Sequence, residues 1–135
     1  YISNFHAGVR HKLNGELAQA ISKFTTCLNE DPIDDAVHYA LSQIYSGKDE
    51  LKLALSHIKW ALKIDPSNKH YKLELANSYS ATGEYKKAAV LLEELIKKDL
   101  QNIVLYEQAV DNWVKANKIK KAIEQTVIPA QNFVA

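Results

Sequence analysis

Four alanines, Ala20, Ala54, Ala88 and Ala122, stand 34 residues apart, and the columns around them repeat at the same interval. Leu17, Leu51, Tyr85 and Ile119 form one such column, and His11, Tyr45, Tyr79 and Trp113 another. Phe24, Ile58 and Leu92 follow, then Leu28, Leu62 and Ile96, and Asp31, Asp65 and Asp99 close each period, with Pro32 and Pro66 beside the first two. A fixed period of this length constrains the fold more than composition does. Each unit is one supersecondary element that cannot bury its apolar face alone, and stacking on its neighbours completes the core. The 135 residues divide into units 1–34, 35–68, 69–102 and 103–135.

Within a period the apolar residues recur three or four apart, as in Leu41, Ile44 and Tyr45 and then Leu51, Ala54, Leu55, Ile58, Ala61 and Leu62, so each unit reads as two amphipathic helices. Asn14-Gly15, Ser46-Gly47-Lys48-Asp49, Thr82-Gly83 and Asn117-Lys118 are the short polar breaks of tight helical hairpins. Asp34, Asn68 and Asn102 stand where each next first helix begins, ready to accept hydrogen bonds from its unpaired N–H groups. The repeated alanines fit a close helix crossing, where a larger side chain would force the pair apart.

Charge and composition narrow the function. Apolar residues make up 47% and charged residues 24%, the balance of a folded chain. The net charge of +1 offers no global excess to hold nucleic acid. No run of 18 apolar residues is present, so a membrane-inserted helix is not expected. Cys27 is the only cysteine, which excludes an internal disulfide and a thiolate-rich zinc site. The sequence contains no methionine, and it is expected to be a piece excised or processed from a longer protein, so its compartment stays open.

These columns resemble the tetratricopeptide repeat (TPR), whose 34-residue pattern is W-x2-L-G-x2-Y, then A-x3-F, then P. Unit two reads His38-x2-Leu41-Ser42-x2-Tyr45, Ala54-x3-Ile58, Pro66. Unit one has Ala7-Gly8-x2-His11, Ala20-x3-Phe24, Pro32, and unit three has Leu75-Ala76-x2-Tyr79 and Ala88-x3-Leu92 with Leu100 in the proline position. Unit four is degenerate: it keeps Trp113 and Ala122, but Thr126 replaces the aromatic and Pro129 falls inside the expected second helix. The resemblance implies an all-α, right-handed α-solenoid of about four helix-turn-helix units. Its concave wall is made by the first helices, and peptides or partner helices bind there.

Carried over by column, that wall has Phe5, Val9 and Lys12 in unit one, and Tyr39, Gln43 and Ser46 in unit two. His70, Leu73 and Asn77 follow in unit three, and Glu107 and Asp111 in unit four. It runs from apolar through polar to acidic, which suits a ligand with an apolar anchor at one end and a basic or hydrogen-bonding portion at the other. The carboxylate clamp of chaperone-binding TPRs is missing: Phe5 and Val9 stand where it would begin, and Glu74, Glu107 and Asp111 repel an acidic C-terminal peptide.

Nothing in the sequence marks an enzyme. His6, His11, His38, His57 and His70 include no i, i+4 pair and no H-E-x-x-H run, so no metal is expected, and His38 and His57 suit surface or inter-helix hydrogen bonding. Gly8, Gly15, Gly47 and Gly83 are turn or packing positions at repeat spacing, with no phosphate-cradling run, so no cofactor is expected either. Cys27 shares a column with Ala61 and Leu95, that of a buried small residue. Lys115, Lys118, Lys120 and Lys121 form a solvated helix end. Trp60 lies on an outer column, either packed under lysine stems or open to a second contact. Val127, Ile128, Phe133 and Val134 leave an apolar C-terminal stretch, through which the array would continue or pair with a second copy. The expected function is a non-catalytic protein-interaction scaffold. The alternative is a structural spacer or oligomerisation segment of a longer TPR protein.

Overall fold

A computed structural model of the chain describes residues 2–117 and 123–124. Among the described residues seven complete α-helices follow in order: α1 Ile2–Leu13, α2 Leu17–Glu30, α3 Asp35–Gly47, α4 Leu51–Ile64, α5 Lys69–Ala81, α6 Tyr85–Lys98 and α7 Ile103–Lys115. The chain divides into two compact units, with the break between Tyr71 and Lys72, inside α5. Ala122, Ile119, Thr126, Pro129, Lys118, Lys120, Lys121 and the apolar residues Val127, Ile128, Phe133 and Val134 lie outside the described residues.

Each tight break is built on a residue with left-handed backbone. Gly15 (φ 76°), Asp49 (φ 60°), Gly83 (φ 83°) and Asn117 (φ 62°) are again 34 residues apart. In the first three hairpins the next amide reaches back over the helix end, Glu16 N to His11 O, Glu50 N to Tyr45 O and Glu84 N to Tyr79 O, at 2.8–2.9 Å. That closure satisfies carbonyls the helix leaves orphaned. Gly47 therefore does not serve the turn as the sequence suggested: it is the last residue of α3, and the left-handed position two residues later falls to Asp49. A side chain in that conformation costs energy that glycine avoids. Asp49→Gly is expected to raise the unfolding free energy by about 1 kcal/mol, read from the denaturant midpoint.

The junctions between repeats are held differently. Asp34 accepts from the amide of Val37 at 3.1 Å, and Asn68 Oδ1 accepts from His70 N at 3.0 Å and Tyr71 N at 3.1 Å. Asn102 does not cap α7, contrary to the sequence reading. Its amide nitrogen donates instead to the Asp99 carboxylate at 3.0 Å, a bond that Asn68 also makes to Asp65 at 3.2 Å while still capping. Asn68→Ala is expected to cost about 1 kcal/mol by denaturant unfolding, and Asn102→Ala distinctly less.

The core of the first unit gathers Ala20, Phe24, Cys27, Val37, Ala40, Leu41 and Ile44, with Phe5, Val9, Leu17, Ile21, Leu28 and Tyr45 partly buried against it. Ala54, Ile58 and Ala61 are the buried residues of α4. In the second unit Ala76, Leu92, Leu95, Ile96, Leu105, Tyr106 and Ala109 form one cluster, and Ala89 packs with Trp113 in another. Gly8 is a packing glycine: a Cβ there would lie 2.7 Å from the Phe24 ring.

Candidate protein-interaction surface

The first-helix residues singled out in the sequence fall on both compact units. In the first unit, Lys12 Nζ on α1 donates to Gln43 Oε1 on α3, a direct bond between two of these residues 31 positions apart. Tyr39, one turn before Gln43, packs its ring against Tyr71, with centroids 4.9 Å apart and planes at 35°. The Tyr71 hydroxyl donates to Asp35 Oδ2 at 2.8 Å. Burial, and then that bond and its carboxylate charge, push the Tyr71 phenol well above its ordinary range, so it stays a donor. Tyr39 is thus seated on a fixed ring. Ser46 is partly buried at the end of α3, while His70 is exposed in the first turn of α5.

Phe5 and Val9 have a divided role. Both pack against the core of the first unit, and both also line a groove of about 390 Å³ along α1 with His6, Arg10, Leu13 and Asn14. In the second unit Leu73 packs on the core and Asn77 is exposed on α5. Glu107 and Asp111 are exposed on α7, where Asp111 is paired with Lys115 at 2.9 Å. That ion pair moderates the acidic character expected of this end of the wall.

A second cluster joins α3 to α4. His38 Nε2 lies 3.1 Å from the carbonyl of Pro32, and His38 Nδ1 lies 3.0 Å from His57 Nδ1. A carbonyl only accepts, so in the neutral pair His38 carries its proton on Nε2 and His57 Nδ1 donates to His38 Nδ1. The inter-helix alternative for these histidines is the one adopted. His57 stacks on Tyr45 at 5.5 Å and His38 on Trp60 at 6.1 Å. The Pro32 bond has a periodic counterpart, because Tyr106, two periods on from His38, donates its hydroxyl to Leu100 O at 2.8 Å.

With this geometry in view, comparison with known proteins places the chain. A family model for the EMC2 TPR-like repeat domain matches residues 6–127. The chain belongs to this TPR-like repeat family. A crystal structure of MamA is similar with a TM-score of 0.84 at 17% identity, covering 95% of this chain and 75% of that one. MamA from Desulfovibrio magneticus RS-1 gives 0.83 at 16% identity over 98% and 76%. A tetratricopeptide repeat protein from Parabacteroides merdae gives 0.72 at 19% identity over 90% of this chain and 48% of that chain. No curated protein matches the chain. At these identities the likeness concerns the fold, an all-α TPR solenoid. A TPR-like repeat domain is in general a scaffold for protein–protein interaction. Among the described residues no three His, Cys, Asp or Glu side chains converge as a metal site, and no helix is long and apolar enough to cross a membrane.

The TPR columns explain which site residues the sequence concealed. Tyr71 shares its column with Val37 and Leu105 and reads as plain core, while Asp35 has Lys69 and Ile103 as counterparts, so no periodic signal announces their bond. The histidine pair likewise occupies positions held in the next repeat by Lys72 and Leu91.

Its titration gives a test. Burial, and then the proximity of His38, lower the His57 pKa below its usual value. The unfolded chain then binds that proton more readily than the folded one. The contribution to stability is full above the unfolded value of about 6.5 and is lost as pH falls through the lowered folded value. Thermal unfolding followed by circular dichroism should show the melting temperature declining below about pH 6.5. His57→Gln, which can still donate to His38 but does not titrate, should reduce the slope.

Proposed function

We propose that this chain is a non-catalytic protein-interaction scaffold that receives a peptide or partner helix on its first-helix wall. The observation that carries the reading is the preorganised patch of the first unit: Tyr39 seated on the anchored Tyr71, beside the bonded Lys12 and Gln43. An aromatic ring already held in place loses little freedom on binding, and an amide next to it supplies direction. The groove beside Phe5 and Val9 supplies an apolar anchor site in the first unit, and Leu73, Asn77, Glu107 and Asp111 are the proposed contact residues of the second unit, taken by itself. Units 1–34, 35–68, 69–102 and 103–135 are the proposed repeats.

The test is capture of partners from source lysate by the parent and by a Tyr39→Ala, Asn77→Ala variant of matching melting curve. A partner held by the parent and lost by the variant supports the wall as the working surface. Equal capture by both proteins overturns it. A second reading, a spacer or oligomerisation segment, draws on the α1 groove, where Leu13 is 80% exposed beside partly buried Phe5 and Val9. Light scattering across a concentration series tests its oligomerisation form: self-association abolished by Leu13→Glu supports pairing of copies, and a monomer throughout excludes that pairing.

A further inference from the structure

The outer face of α4 differs from the corresponding faces of the other second helices. Lys52, Leu53, Ser56, Lys59, Trp60 and Lys63 recur at helical spacing and are all exposed. Leu53 is 46% and Trp60 48% exposed, and α4 contains no carboxylate. Repeat packing does not require this set. The column of Trp60 holds Thr26 on α2 and Glu94 on α6, that of Lys59 holds Thr25 and Glu93, and that of Leu53 holds Gln19 and Lys87. Among the described residues, an exposed tryptophan bracketed by cations thus stands on α4 alone, the matching columns of α2 and α6 being neutral or of mixed sign.

The ring is also held in place. It stacks on His38 with planes at 19°, and His38 is buried with both nitrogens engaged, at Pro32 O and at His57. Lys63 Nζ stands 4.8 Å over the ring centroid. Ser56, Lys59, Trp60 and Lys63 line a shallow groove of about 260 Å³. Leu53 lies two helical turns before Trp60, about 10 Å along the axis. Apolar anchors at this spacing with charge along the flanks are the pattern met by a partner helix.

We infer that the outer face of α4 docks an acidic amphipathic helix of a partner protein. Two of its apolar residues, two turns apart, rest on Trp60 and Leu53, and its carboxylates meet Lys52, Lys59 and Lys63. This surface is independent of the α1 and α3 wall and opposite in charge preference to the acidic residues of α7.

The test uses the whole chain labelled with nitrogen-15, whose two indole N–H signals report Trp60 and Trp113 separately. Trp113 is an internal control, buried and donating to Glu93 at 2.9 Å. The probe is a tryptophan-free synthetic helix of glutamate, alanine and two leucines seven residues apart. The Trp60 signal should move on titration while that of Trp113 stays, and a Lys59→Glu, Lys63→Glu variant with an unmoved Trp113 signal should bind about tenfold more weakly or worse. Tyr39→Ala should leave this binding intact, which separates its failure from failure of the wall. A Trp60 signal that ignores the peptide at large excess overturns the inference, as does equal binding of the same helix with lysine in place of glutamate. Phosphatidylserine vesicles that shift Trp60 when the peptide does not overturn it in favour of a membrane surface.

Discussion

Truncation of Phe24 to alanine is expected to lower the unfolding free energy of the first unit by about 3–5 kcal/mol, the largest effect of any single substitution considered. Phe24 is fully buried and meets Phe5 edge-on, with centroids 6.0 Å apart and planes at 67°. Opposite it α1 carries Gly8, whose absent Cβ is the space the ring fills: a methyl there would stand 2.7–2.9 Å from three ring atoms. Gly8→Ala improves helix propensity by about 1 kcal/mol, yet it must displace a buried ring, an overpacking cost of about 1–3 kcal/mol, so it destabilises on balance. The two sites are coupled. Gly8→Ala should be better tolerated in a Phe24→Leu background, and chemical denaturation of the four proteins in a double-mutant cycle measures the coupling. Additive losses would show that Gly8 and Phe24 do not share the space assigned to them.

The second large effect is expected at the alanine column. Ala54 is 1% exposed where α4 packs on α3, and Ala20 and Ala88 are fully buried at the same place in their repeats. A leucine at such a buried crossing adds three carbons, so the helices must separate or the side chain must leave its preferred rotamer. Ala54→Leu or Ala88→Leu should cost about 1–3 kcal/mol, seen as a lower melting temperature with helical content retained below it. An unchanged melting temperature would mean that the crossing has room. Ala54→Gly tests the same site from the other side, with loss of propensity and of a packed methyl.

What the sequence disclosed follows from what repetition records. Ala20, Ala54 and Ala88, Phe24 with Ile58 and Leu92, and the burial of Cys27 are each set by the same helix pairing every 34 residues, so columns reveal them. Caps at Asp34 and Asn68 were legible for the same reason. Asn102 misled because the same residue type has two uses, and there only the bond to Asp99 is made. Gly47 differs because, within the break Ser46-Gly47-Lys48-Asp49, the left-handed position falls to Asp49, a residue type that also tolerates that backbone.

The proposed wall is legible only as a set of positions. Which of them are joined depends on contacts outside the period, such as Tyr71 with Asp35 and Lys12 with Gln43, and a column comparison averages those away. Trp60 was the reverse case. Its column marked it as exceptional, but the stacking that makes it both exposed and fixed arises from the equally exceptional His38.

Cys27 carries a practical consequence. It is the only thiol in the sequence, and it lies in the first unit's core, where burial and then the Glu30 charge raise its pKa. Only the thiolate attacks an alkylating reagent, displacing its leaving group, so reaction waits for a fluctuation that brings Cys27 to water. The rate of labelling under native conditions is then a clock for the opening of one half of the molecule, built in without any engineered probe. Ligands that grip the first unit would slow it.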